Sequence, residues 1–250
     1  MKKVVSIVSF LLTFVAFAQN NVIYQEGNAL YNQGKYQEAI TAYETIIDNG
    51  EHSAELYFNL GNAYYKLNSI APSIYYYEKA LQLNPKDKDI QNNLTFAKNM
   101  TIDAIEEVPS IGLNRFMKSF IKFFDFETWA ILSVGFVFAF VVIFLMYYFS
   151  HSTGKKRFLF LSSIASLVFM VFCLFFAFQN FNLEKNDKPA IVFAKKSQVR
   201  TEPNLRSENA FFLHEGTKIQ MLEIYNEDWV KIKIADGKTG WIVSEDIKPL

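Results

Sequence analysis

Cysteine is almost missing from this 250-residue sequence, and with Cys173 as its single thiol no disulfide can form within the chain. Cys173 lies in an apolar run, where a thiol behaves as a small hydrophobe. Histidine is nearly as scarce: His52, His151 and His214 fall in three separate regions, and no pair has metal-ligand spacing. Phosphate-cradling glycine loops, a Gly-x-Ser-x-Gly elbow and a dinucleotide fingerprint are missing as well. The adjacent acids Glu106 and Glu107, and Glu227 and Asp228, read as solvated charges. No catalytic residue, metal or cofactor is therefore expected, and the sequence does not read as an enzyme. A basic face is also lacking. From Gln19 to Pro109 there are 12 acidic and 6 basic residues, whereas Gln179 to Leu250 carries 11 of each. Nucleic-acid binding needs a cationic surface that displaces counterions, so that class is excluded.

What is abundant is apolar: hydrophobic residues make up 51% of the chain and aromatics 17%, concentrated in three blocks. The first follows Lys2 and Lys3, runs from Val4 to Phe17 and ends on Ala16-Phe17-Ala18, the pattern of a signal peptide over residues 1–18. Cleavage after Ala18 is expected, with an uncleaved anchor as the alternative. The second block, 128–149, is uncharged over a length that at about 1.5 Å per residue reaches roughly 33 Å, enough to cross a hydrocarbon core of about 30 Å. The third, 158–178, has the same property. The segment 150–157 between them contains Lys155, Lys156 and Arg157, favouring a cytoplasmic loop. Arg115, Lys118 and Lys122 precede the first span, so orientation rests on export of the N-terminus, which puts both flanking domains outside. Neither span holds an ionisable group beyond Cys173 and the terminal tyrosines, which argues against an ion or proton path. Trp129, Tyr147 and Tyr148 stand near the ends of the first span, where interfacial aromatics collect. Leu113, Phe116, Met117, Phe120, Ile121 and Phe124 recur at helical spacing across 110–126. This is expected to be an amphipathic helix, lying either in the headgroup layer or against the preceding repeats.

Between the signal and the spans the sequence repeats. Glu26-Gly27-Asn28-Ala29-Leu30-Tyr31 aligns with Leu60-Gly61-Asn62-Ala63-Tyr64-Tyr65 at an offset of 34 residues, the tetratricopeptide-repeat (TPR) period of paired antiparallel helices. Ala39 and Ser73, Tyr43 and Tyr77, and Ile46 and Ala80 follow in register, and Ala80-Leu81-Gln82-Leu83-Asn84-Pro85 closes the second unit as the family does. Glu51 departs from the proline position and Ile46 from a usual alanine. Two units over 19–100 are fewer than the three or so such arrays need. Ile90, Leu94 and Ala97 mark a capping helix over 89–100, and further cover is expected from the next helix, the membrane or a partner. The resemblance to TPR proteins places Tyr24, Asn28, Tyr31, Asn32, Phe58, Asn62, Tyr65 and Lys66 on a concave groove. There asparagines would pair with the backbone of a protein partner and aromatics would cover its side chains.

After a polar tether, 179–188, the period becomes that of strands: 190–194, 198–200, 211–213, 217–225, 228–234 and 240–243, a small barrel. Val230, Ile232 and Ile234 alternate with Trp229, Lys231 and Lys233, and Asp236-Gly237 supplies a tight turn. Val199-Arg200-Thr201-Glu202-Pro203, Leu213-His214-Glu215-Gly216-Thr217, Trp229-Val230-Lys231-Ile232 and Asp236-Gly237-Lys238-Thr239-Gly240-Trp241-Ile242 resemble the bacterial SH3 domain over 188–250. That resemblance makes Tyr225, Trp229 and Trp241 candidates for binding a partner or peptidoglycan.

The expected fold class is a multidomain membrane protein: α-helical TPR hairpins, a two-helix transmembrane hairpin and a small all-β SH3-like barrel. In domain order it resembles the BatE-type proteins of the Bacteroides aerotolerance operon. The resemblance implies a two-pass inner-membrane scaffold with both domains periplasmic, working beside von Willebrand factor A-type membrane proteins in a process linked to aerotolerance or stress. The other reading is a peptidoglycan-binding sensor or anchor acting through the barrel.

Overall fold

Helical hairpins packed through glycine–tyrosine contacts open the chain in the computed structural model, which describes residues 20–103, 105 and 112–250. The expected signal peptide, and residues 110 and 111 of the expected amphipathic helix, lie outside those residues. The chain divides into two units, one built from the repeats and the barrel, the other from residues 108–187 between them.

In the first unit, α1 (20–32) pairs with α2 (Tyr36–Asp48), α3 (Ala54–Lys66) with α4 (Ile70–Leu83), and α5 (Lys88–Lys98) follows. Ser53 caps α3 by accepting from Leu56 N–H, and Asp87 caps α5 by accepting from Asp89 and Ile90 N–H. The 34-residue period is visible in the packing. A Cβ on Gly27 would lie 2.6 Å from the Tyr43 ring and one on Gly61 2.5 Å from the Tyr77 ring, so each glycine admits the tyrosine one period-matched helix away. Tyr43 and Tyr77 are both about 1% exposed. The turns repeat too: Gly34 and Asn68 both have positive φ, the second tolerated because asparagine's short side chain is among the few that visit that region. Ile90, Leu94 and Ala97 are buried as the capping helix requires.

Seven strands form one antiparallel sheet in the order β3-β2-β6-β5-β4-β1-β7, with β1 Pro189–Val192, β2 Lys196–Arg200, β3 Asn209–His214, β4 Lys218–Tyr225, β5 Trp229–Lys233, β6 Thr239–Val243 and β7 Ile247–Pro249. Its core holds Val199, Leu213, Ile219, Val230, Ile232 and Ile242. The six expected strands are present with shifted ends. β7 was not expected; three residues ending in proline leave too short a pattern to read.

The barrel covers the last repeat. Ile191 joins the helical core, with Phe193 and Leu250 packed against it. Gly216 comes so close that a Cβ there would lie 2.8 Å from Thr101 and 3.0 Å from Ile70 and Ile74. Asp103 accepts hydrogen bonds from the backbone N–H of His214 (2.6 Å) and from Thr217 Oγ1 (2.7 Å), and pairs with His214 Nδ1 at 2.7 Å. Glu78, 7% exposed, lies 2.7 Å from Lys218 Nζ and 2.9 Å from Lys98 Nζ. β1 of the barrel packs on α4. The expected polar tether over 179–188 is helical for most of its length: α8 (Thr153–Asn186) continues through 179–186, because nothing in Gln179–Asn186 breaks a helix.

In the second unit, α6 (Leu113–Ile121) precedes α7 (Phe126–Phe149) and α8, and α7 and α8 are long and apolar enough to cross a membrane. α6 ends at Ile121, five residues short of the expected 126. Lys122 to Asp125 form a turn in which Asp125 caps α7 through Thr128 N–H. The turn's carbonyls are satisfied from α7 and α8. Trp129 Nε1–H donates to Ile121 O (3.0 Å), and Asn180 Nδ2 donates to Ile121 O (2.9 Å) and Phe124 O (2.7 Å). Trp129 is consequently buried at 6% exposure, while Tyr148 is exposed. Ser166 Oγ donates to Phe136 O across the hairpin at 2.8 Å. The expected 150–157 loop is shorter, since α8 already begins at Thr153.

Candidate functional site

Two exposed aromatic surfaces of the first unit carry most of the residues singled out from sequence. On the helical side, α1 supplies Tyr24, Asn28, Tyr31 and Asn32, and α3 supplies Phe58, Asn62, Tyr65 and Lys66. They do not form one continuous row. Tyr31, Asn62, Tyr65 and Lys66 line a hollow of about 270 Å³ with Tyr77, Asn93 and Phe96. Tyr24 belongs to a separate hollow of about 500 Å³ with His52, Glu55 and Leu56. Asn32 is exposed outside both, and Phe58 is half-buried, its ring centroid 5.9 Å from that of Tyr77.

Of the three asparagines placed on the groove, Asn28 and Asn62 bond within the helical array. Asn28 Oδ1 accepts from Tyr43 Oη (2.7 Å) and Asn59 Nδ2 (3.0 Å), and Asn59 also donates to Tyr24 Oη (2.9 Å). One period later, Asn62 Oδ1 accepts from Tyr77 Oη (2.6 Å) and Asn93 Nδ2 (2.8 Å). Their carbonyl oxygens are thus committed to holding helix to helix, and α5 enters the ladder as though it opened a third repeat. Burial pushes the Tyr43 and Tyr77 phenols above their ordinary value, which keeps both protonated as donors. The side chains of this hollow not bound into the ladder are Tyr31, Tyr65, Phe96 and the exposed Lys66. Asn59 and Asn93 escaped the sequence reading although they stand one period apart; Phe96 escaped it because a capping helix was credited only with its buried face.

On the barrel, Tyr225 is 46% exposed and its ring centroid lies 6.1 Å from that of the half-buried Trp241. Cross-strand pairing puts Arg200 and Lys231 on either side of Trp241, with Lys231 Nζ 5.7 Å from its ring centroid. Trp229 shares this face by alternation and pairs with Tyr225 across β4 and β5, yet it is only 9% exposed, so little of its ring is open. Arg200 and Lys231 were missed because strand alternation marks them only as outward-facing.

A helical repeat joined to an SH3-like sheet defines a chain made of interaction modules, and comparison with known proteins agrees. Residues 24–88 match the tetratricopeptide repeat family and residues 196–248 the bacterial SH3 domain family. Both are non-catalytic modules. The chain is 38% identical over 52 residues, 21% of its length, to the cell wall-binding protein YwsB of Bacillus subtilis (strain 168), and the match spans 29% of that protein. β1, the strand that meets α4, precedes the residues matched to the SH3 family.

Proposed function

We propose that this protein is a membrane-anchored adaptor whose groove and aromatic barrel patch are presented by one rigid unit, so that two bound elements are held in a fixed relation. The observation that carries this reading is the seam: Glu78, Asp103 and Ile191 tie the repeat to the barrel through buried ionic, hydrogen-bonded and apolar contacts. α7 and α8 would cross the inner membrane twice with both modules in the periplasm. The groove, through Tyr31, Tyr65, Phe96 and Lys66, would hold a protein partner. Domain order of the BatE type adds von Willebrand factor A-type membrane proteins as candidates and aerotolerance as the setting. A photoreactive residue at Lys66 in membranes should crosslink a partner, and Tyr31→Ala with Tyr65→Ala should abolish the product; an undiminished product overturns the groove assignment.

A second reading, favoured by the likeness to a cell wall-binding protein, gives the barrel patch to peptidoglycan, with Tyr225 and Trp241 stacking on wall material. The full chain in detergent micelles should then be retained on purified wall, and Trp241→Ala should release it. Retention unaffected by that substitution would remove Trp241 from the role.

A further inference from the structure

The seam carries a second group of charges that the adaptor reading does not use. On α4, Glu78 is followed by Lys79, and the two neighbours are provided for in opposite ways. The Glu78 carboxylate lies between Lys98 and Lys218 at ion-pair distances. Lys79 Nζ instead lies 5.1 Å from the Tyr57 ring centroid and 5.5 Å from that of Tyr75. From the barrel, Lys248 Nζ reaches to 4.6 Å from the same Tyr75 ring and 5.7 Å from Phe193. Two ammoniums, one from each module, thus share one tyrosine that is 6% exposed. Among the described residues no carboxylate lies within ion-pair distance of either lysine.

Ring faces attract each cation, by about 0.5–2 kcal/mol apiece in general, but they do nothing to relieve the repulsion between the two. Sharing one ring keeps the ammoniums within about 10 Å of each other, no farther than a Debye length, so they feel each other. Burial, and then Lys248, hold Lys79 below its ordinary value. An oxyanion accepting from both at about 2.7–2.9 Å, one oxygen to each, draws the two ammoniums to within roughly 8 Å and replaces repulsion by two charge-assisted hydrogen bonds.

We infer that Lys79 and Lys248, over the Tyr75 ring, form a binding site for a phosphate or carboxylate oxyanion that bridges the repeat and the barrel. Of the rings beneath it, Tyr57 and Tyr75 are 4% and 6% exposed, which leaves the half-buried Phe193 to meet the apolar part of a larger ligand. Binding there strengthens the seam, because one ligand contact comes from each module.

The test is thermal unfolding of the full chain in detergent micelles, titrated with inorganic phosphate or with malonate against sodium chloride at matched ionic strength. The site predicts a saturable rise in the midpoint above the chloride control. Lys79→Gln and Lys248→Gln should each weaken the apparent affinity about tenfold, whereas Lys79→Arg and Lys248→Arg retain it. A response to phosphate alone assigns a phosphate source, to malonate alone a carboxylate source, and to both a site unselective between them; all three support it. No saturable rise with either anion, or an equal rise in the double glutamine variant, overturns it. Both lysines reach solvent, so the variants fold, and unchanged circular dichroism checks this.

Discussion

Replacing Glu78 by glutamine asks how firmly the barrel is fixed to the repeats. The carboxylate is 7% exposed and stands between two ammoniums that keep 46% and 43% of their side chains in contact with solvent. Burial alone would raise its pKa, but Lys218 and Lys98 overcome that and hold it below the ordinary carboxylate value. Removing one partner of a fully buried pair costs about 3–5 kcal/mol. Here the lysines can rehydrate, which brings the expected loss to about 2 kcal/mol. For a unit of this size that lowers the thermal midpoint by roughly 4–8 °C. Lys218→Met probes the same contact from the barrel, and a double-mutant cycle of Glu78→Gln with Lys218→Met should return a coupling of about 1–2 kcal/mol. The assay is unfolding of the full chain in micelles followed by far-ultraviolet circular dichroism. A loss below about 0.5 kcal/mol, with additive single effects, would refute the reasoning and reduce the seam pair to a surface ion pair.

Gly61→Ala sets helix propensity against space: alanine gains about 1 kcal/mol in the helix, but overpacking costs about 1–3 kcal/mol and Tyr77 is pinned by its bond to Asn62. Net destabilisation by denaturant titration is expected, while Gly154→Ala, with open space around its Cβ, should be neutral or better. Asp103 is also held below the ordinary carboxylate value: burial acts to raise it, and the bonds from Thr217 and His214 outweigh that. Its contribution is therefore complete above the unfolded-state pKa of about 4 and is lost as pH falls toward the lower folded value. Asp103→Asn should flatten the decline in stability between about pH 5 and 2, and an unchanged slope counts against the bridge. Asn180→Leu leaves Phe124 O without its side-chain donor at a general cost of about 1–3 kcal/mol. Trypsin should then cut at Lys122 faster in micelles, and an unaltered rate would contradict the locking role.

The helical pairing was legible because glycine and tyrosine recur at one period, and each pair meets as that period requires. The strands were legible from alternation and turn residues. The resemblance that offered Trp229 as a binding aromatic carried no information on its burial, and the structure leaves it 9% exposed. The seam left no local pattern. Asp103 and His214 stand 111 residues apart and Glu78 and Lys218 140 apart, and in sequence each is one polar residue among many. What could be read was the need: two repeats end in an apolar face, and a cover had to come from somewhere. The asparagine ladder was legible in principle, because Asn59 and Asn93 obey the same period as Asn28 and Asn62.

The claim that repeat and barrel act as one unit is tested most directly by native-state hydrogen exchange of the full chain in micelles. Amides of α4 around Tyr75–Ala80 and of β1 at Ala190–Val192 should open with the same free energy, and Asp103→Ala should lower both by the same amount. Separate opening energies, with β1 falling and α4 unmoved, would contradict it.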